Sequence, residues 1–157
     1  MQYLPLTGCD TPQAVEEEIA RLVAGGYLTR PQGQAADPQK LAAFFASDLG
    51  REMAAAKTCR REFKFSVLVS ARTYYPEAGA EEEVLLQGVI DAWFTDGEEI
   101  TLIDFKSDRV SPASQQLRAQ EYATQMMAYG KALEAMTGQR VGRRVLWFFA
   151  TGDAVEV

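Results

Sequence analysis

Hydrophobic and polar positions change their spacing several times along this chain, and each change marks an element. Val15, Ile19, Leu22 and Val23 recur at helical spacing behind Thr11-Pro12, an N-cap followed by proline at the first helical position. Glu16, Glu17 and Glu18 fill the early turns, and Gly25-Gly26 closes the helix. Residues 29–36, rich in Pro, Gly and Gln, read as a loop. Asp37-Pro38 opens a second helix carrying Leu41, Phe44 and Phe45, and a short third one covers 49–57. From 61 to 73 the period drops to two. Phe63, Phe65, Val67 and Val69 share one face and Glu62, Lys64 and Ser66 the other, as in a half-buried strand. Strands are also expected at 84–94 and 99–106, joined by a Thr95-Asp96-Gly97-Glu98 turn whose Asp-Gly pair favours a hairpin. A long helix follows from Gln115 to about Met136, stopped by Gly138, and an apolar strand at 143–150 and a stub at 154–157 end the chain. Helices, three meandering strands, a helix and a returning strand predict an α/β domain: a mixed β-sheet flanked by helices, with an N-terminal helical segment.

Composition narrows this picture. The chain has 157 residues, 47% hydrophobic and 24% charged, which suits one globular domain with its own core and excludes disorder. No apolar run approaches the roughly 20 residues that span a bilayer, and no signal peptide opens the chain, so a cytoplasmic protein without membrane contact is expected. Cys9 and Cys59 stand far apart without a CxxC pattern and read as incidental thiols. Histidine is absent, which excludes His-based triads and His-based zinc sites. The net charge of −6 argues against tight independent binding to nucleic acid. Basic residues nevertheless cluster at Arg51, Lys57, Arg60, Arg61 and Lys64, and at Arg140, Arg143 and Arg144; for any one of them solvated surface charge is the simpler reading.

Candidate chemistry gathers around Ile103-Asp104-Phe105-Lys106. On a strand Asp104 and Lys106 share one face while Ile103 and Phe105 take the other, so acid and amine sit side by side with an apolar backing. The hairpin can bring Asp91, at the end of Gly88-Val89-Ile90-Asp91, beside Asp104. Two carboxylates and an amine suit holding a hard divalent cation and positioning a water against a phosphodiester. Tyr122, Gln125, Met126 and Tyr129 fall on one face of the long helix. Met126 reads as packing, whereas Gln125 and the tyrosine hydroxyls need polar partners if buried.

Together, Gly88 to Asp91, Ile-Asp-Phe-Lys-Ser-Asp at 103–108 and Tyr-Ala-Thr-Gln-Met-Met-Ala-Tyr at 122–129 resemble the RecB-type nuclease motifs of the PD-(D/E)XK superfamily. The likeness is strongest to the C-terminal nuclease domains of AddA-type helicase–nucleases and covers nearly the whole chain. Any one motif is weak; the three in this order and spacing are specific. The resemblance implies a restriction-endonuclease-like fold. It also implies an Mg²⁺-dependent exonuclease domain, with Mn²⁺ as substitute, that degrades single-stranded DNA fed by helicase domains alongside an AddB-like subunit in double-strand-break repair. In that pattern Asp91, Asp104 and the backbone carbonyl of Phe105 hold the metal, and Lys106 orients or helps deprotonate the attacking water. Gln125 and Tyr129 match Gln-x-x-x-Tyr and steady the site or contact the DNA backbone, with Tyr122 one turn earlier. Ser107 and Asp108 match the tail of the strand motif, read as a structural turn. Glu62 matches a family acidic position, weighed evenly against an exposed strand residue. A catalytically silent nuclease-fold module for DNA binding or scaffolding is the alternative.

One departure stands out: the family's histidine, on a helix upstream of this region, has no counterpart here. Residues 1–157 are therefore expected to be a single nuclease domain belonging to a longer helicase–nuclease chain. A longer chain restoring that upstream segment is expected to bind Mg²⁺ or Mn²⁺ more tightly, as measured by titration calorimetry, and equal affinity counts against the expectation.

Overall fold

A computed structural model describes every residue, Met1–Val157. Local capping chemistry sets the helical segment. Helix α1 (Pro12–Ala24) starts where the Thr11 hydroxyl accepts from the Ala14 amide at 3.3 Å. The expected loop at 29–36 is instead a short helix, α2 (Arg30–Ala35). Thr29 Oγ1 accepts from the Gln32 amide at 3.3 Å while the Gln32 side chain accepts from the Thr29 amide at 2.8 Å, a reciprocal cap that outweighs the glycine and proline content. Because α2 buries no residue, it leaves no apolar stripe to read. In α3 (Pro38–Ala46) Asp37 caps the start, and Ser47 links α3 to α4 (Asp48–Ala55): its hydroxyl donates to the Phe44 carbonyl at 2.6 Å and accepts from the Gly50 amide at 3.1 Å.

Five strands follow: β1 (Thr58–Ser70), β2 (Glu83–Thr95), β3 (Ile100–Lys106), β4 (Val141–Phe148) and β5 (Asp153–Glu156), with a 3₁₀ turn at Ala71–Thr73 after β1. The strands lie in the sheet in chain order. All pairs are antiparallel except β3–β4, which is parallel and joined by the crossover helix α5 (Gln115–Thr137), stopped by Gly138 in the left-handed region. The expected mixed sheet is thus present, and it is covered on both faces. Ala92, Phe94, Ile103, Val145 and Trp147 pack against α1, α3 and α4; Ile90, Leu102, Leu146 and Phe148 pack against α5 through Met126 and Leu133. Double coverage explains the unbroken apolar stretches Leu102-Ile103 in β3 and Val145–Phe148 in β4.

Phe44, fully buried, couples the helical wall to the motif strand. Its ring meets Phe105 edge-on at 4.9 Å and Trp147 at 5.2 Å. Phe44→Ala is expected to cost about 3–5 kcal/mol in denaturant unfolding. Phe44→Leu, which keeps most of the volume, should cost under about 1.5 kcal/mol.

Candidate active site

The sheet changes its pleat at one rung, and that rung carries the acids. On β2, Ile90 and Trp93 join the α5 side while Ala92 and Phe94 join the opposite side, so strict alternation breaks at Asp91. On β1, Cys59 packs with the α1–α4 layer, but Phe63 and Phe65 pack with α5. The ladder pairs Arg61 with Ala92 and Phe63 with Ile90, leaving Glu62 opposite Asp91 and outside the register. Glu62 has φ +51°, a left-handed conformation uncommon for any residue but glycine. Its side chain is exposed beside Asp91.

Beyond Ala92–Ile103 the β2–β3 ladder ends, which places Asp91 and Asp104 opposite each other one step further along. The Phe105 amide has lost its strand partner there, and Asp91 Oδ2 accepts from it at 2.8 Å. Asp104, on the α5 face, is buried. Its Oδ2 has no aligned hydrogen-bond donor but lies 2.5 Å from the Lys106 ammonium. Gln125 Oε1 is 3.3 Å from the same ammonium, and Gln125 Nε2 donates to Tyr129 Oη at 3.0 Å. Gln125 therefore meets a polar partner on the facing strand, whereas Tyr129 Oη is bonded only within α5, and Met126 is buried packing. Gly88 leaves room for this arrangement, since a Cβ there would stand 2.9 Å from the Phe65 ring and 3.2 Å from that of Tyr129.

Burial dominates the electrostatics. Desolvation pushes both Asp91 and Asp104 above the ordinary carboxylate range. The Phe105 amide and Lys106 pull Asp91 down while Glu62 pushes it up; Lys106 pulls Asp104 down while Asp91 and Asp108 push it up. The donor set suits a hard divalent cation: hard oxygens, one of them buried with no aligned donor, beside a lysine that offsets their charge. No group of three or more Asp, Glu or Cys side chains stands ready to hold an ion.

Around this centre lie residues whose part was not legible. Asp108, expected in a turn, accepts from Arg118 Nε at 2.9 Å and from Tyr122 Oη at 3.0 Å. Burial raises its carboxyl, but Arg118 and Tyr122 outweigh that and hold it below the usual range. Arg118 was missed altogether; the available signal was its place four residues before Tyr122 on α5. Ser107 is exposed and touches none of this. Much of the basic surface is neutralised: Arg143 pairs with Glu52 and Glu156, Arg140 with Glu99 and Arg51 with Asp48, while Arg61 binds the Met1 and Leu4 carbonyls. Both cysteines are free thiols. An apolar hollow lined by Tyr3, Leu4, Leu22 and Phe149 lies on the α1–α3 side and offers no acid pair. No helix is long and apolar enough to cross a membrane.

A mixed sheet that parts at an Asp, Asp-x-Lys rung, with a Gln-x-x-x-Tyr helix laid over it, is the arrangement expected of a nuclease fold. Residues 2–156 match the family profile of the PD-(D/E)XK nuclease superfamily, and the chain belongs to it. It is similar to large bacterial proteins that are each named as one of the subunits of an ATP-dependent helicase/nuclease. Identity is 37% over 98% of the chain to that of Desulforudis audaxviator, 33% over 100% to that of Syntrophomonas wolfei, and 36% over 97% to that of Pelotomaculum thermopropionicum. The chain spans about an eighth of their length, 12–13%.

A carboxyl raised in the fold stabilises fully below its unfolded value, about 3.9 for Asp, and that contribution is lost as pH rises through the folded value. Ionised Asp91 is therefore a burden on the metal-free protein at neutral pH. Asp91→Asn removes the charge yet keeps an oxygen for the Phe105 amide. Its thermal midpoint should exceed wild type by about 2–4 °C at pH 8 without divalent cation, and the gap should close as pH falls toward 4.

Proposed function

We propose that this chain is the divalent-metal-dependent exonuclease unit of an AddAB-type helicase–nuclease, hydrolysing DNA phosphodiesters during double-strand-break repair in the cytoplasm. One observation carries the reading: Asp104 and Lys106 are paired at 2.5 Å on β3, with Asp91 tied to the amide of the residue between them. A fold that only bound DNA would gain nothing from burying two carboxylates whose protonation it must then resist.

Asp91, Asp104 and the Phe105 carbonyl would hold Mg²⁺, with Mn²⁺ as substitute. Such a cation, when bound, would offset the negative charge of the phosphoryl oxygens and lower the pKa of water. Lys106 orients the attacking water and offsets the negative charge that builds on the phosphoryl oxygens as the new P–O bond forms and the bond to the leaving oxygen breaks. Gln125 keeps Lys106 in place, and Tyr129 keeps Gln125 in place. Supply of the strand is assigned to helicase domains and to a second, AddB-like protein. The name the relatives carry, which joins helicase to nuclease and makes each of them one subunit of several, supports this assignment. So does an acidic chain with much of its arginine already paired.

The test is degradation of labelled single-stranded DNA with and without Mg²⁺. Wild type is expected to act only with the cation, and Asp104→Ala and Lys106→Ala should each lose about 10²-fold or more. Equal rates for all three, or for reactions with and without cation, overturn the reading in favour of a silent DNA-binding or scaffold module.

A further inference from the structure

Lys106 is gripped from three sides, and the third grip has no part in the chemistry above. Besides Asp104 and Gln125, its ammonium lies 3.6 Å from the centre of the Tyr122 ring. Acid, amide and aromatic face thus surround the ammonium on three sides. Lys106 keeps only 12% of its side-chain exposure, a desolvated setting in which a cation over an aromatic face is held more firmly than at the surface.

The ring is itself fixed. Tyr122 Oη donates to the Asp108 carboxylate, whose two oxygens lie 3.0 and 3.1 Å away, and accepts from Arg118 Nη2 at 3.0 Å. Arg118 closes the triangle on Asp108 Oδ1, through Nε at 2.9 Å and Nη2 at 2.8 Å. Asp108 lies two residues past Lys106, while Arg118 and Tyr122 are one turn apart on α5. The triangle thus joins the end of the motif strand to the helix over it. A carboxylate drawing on the phenol proton also enriches the ring in electrons, which strengthens its hold on a cation.

We propose, resting on the nuclease reading, that Tyr122 is the positioning residue of Lys106: its ring, locked by Asp108 and Arg118, keeps the ammonium in the site when Asp104 is engaged by a cation. The argument is one of competition. Any cation taken by Asp104 displaces Lys106 from its nearest counter-charge and repels it, and a flexible four-carbon stem would carry the ammonium to solvent. Gln125 alone offers one neutral oxygen. The aromatic face offers attraction without a negative charge of its own, so it does not compete for the cation.

Two readouts test this. In the metal-free protein, carbon–proton NMR should show the Lys106 ε-methylene protons upfield of those of the other lysines, the signature of a methylene over an aromatic ring. Tyr122→Phe, which keeps the ring and loses its lock, should weaken that shift, and Tyr122→Leu should abolish it. With Mg²⁺ and single-stranded DNA, Tyr122→Leu should lower kcat about tenfold or more with KM unchanged, while Tyr122→Phe stays within about threefold of wild type. An unshifted Lys106 methylene in wild type, or a Tyr122→Leu protein with wild-type kcat beside an inactive Asp104→Ala, overturns the proposal. Wild type as inert as Asp104→Ala would instead fell the nuclease reading, and the ring-held lysine would then stand or fall on the methylene shift.

Discussion

Where β2 and β3 cease to pair, the Phe105 amide is left without a strand partner, and Asp91 Oδ2 takes it at 2.8 Å. A buried N–H without an acceptor costs roughly 1–3 kcal/mol, so the strands could not part here unless something answered that amide. Using a carboxylate does more than satisfy it. One oxygen is committed to the backbone, the side chain is held between the strands, and the second acid arrives opposite because the register of the hairpin puts it there. The gap in the ladder and the acid pair are therefore one feature. Closing the gap would remove the site, and removing Asp91 would leave the gap unsupported.

The Asp-Phe-Lys triplet divides its work across both faces of β3. Phe105 is pinned on the helical-wall side by Phe44 and stacks on Phe149 at 5.7 Å. Asp104 and Lys106 face α5, where Gln125 and Tyr122 wait. Because neighbouring residues on a strand point opposite ways, the wedge that fixes the backbone cannot interfere with the charged pair it positions. The four N-terminal helices contain no residue of the site, yet through Phe44 they set where its middle residue lies.

Much of this was legible from period and capping. Alternation at 63–69, the Asp-Gly turn and the helical stripe at 122–129 have physical causes that act locally, and the elements fall where those causes put them. The exact facing of Asp91 and Asp104 was not: it follows from the Thr95–Ile100 rung, whereas a four-residue turn at 95–98 would pair Phe94 with Glu99 and set Asp91 opposite Leu102. What stayed hidden was decided by tertiary partners. Helix α2 buries nothing and is held by one reciprocal cap, so it has no stripe to betray it. The pleat change at Glu62 and Asp91 places a glutamate at φ +51°, and nothing in the identity of a glutamate announces that. Asp108 and Arg118 are ten residues apart and meet only because α5 folds back over β3. Their partnership is a product of the crossover, not of either segment.

Charge ties the site to its setting. A chain of net charge −6 with a buried acid pair repels a polyanion, and five of its eleven arginines are already paired with acids, among them Arg143 with Glu52 and Glu156, Arg140 with Glu99 and Arg118 with Asp108. Phosphate neutralisation supplies most of the affinity of a protein for a DNA strand, so this surface is poorly suited to capturing one unaided. The same acids that discourage capture are what a divalent cation requires. A site built this way favours a strand delivered under the drive of another domain over one found by diffusion, which is the division of labour that the proposed function assigns to a motor and its nuclease.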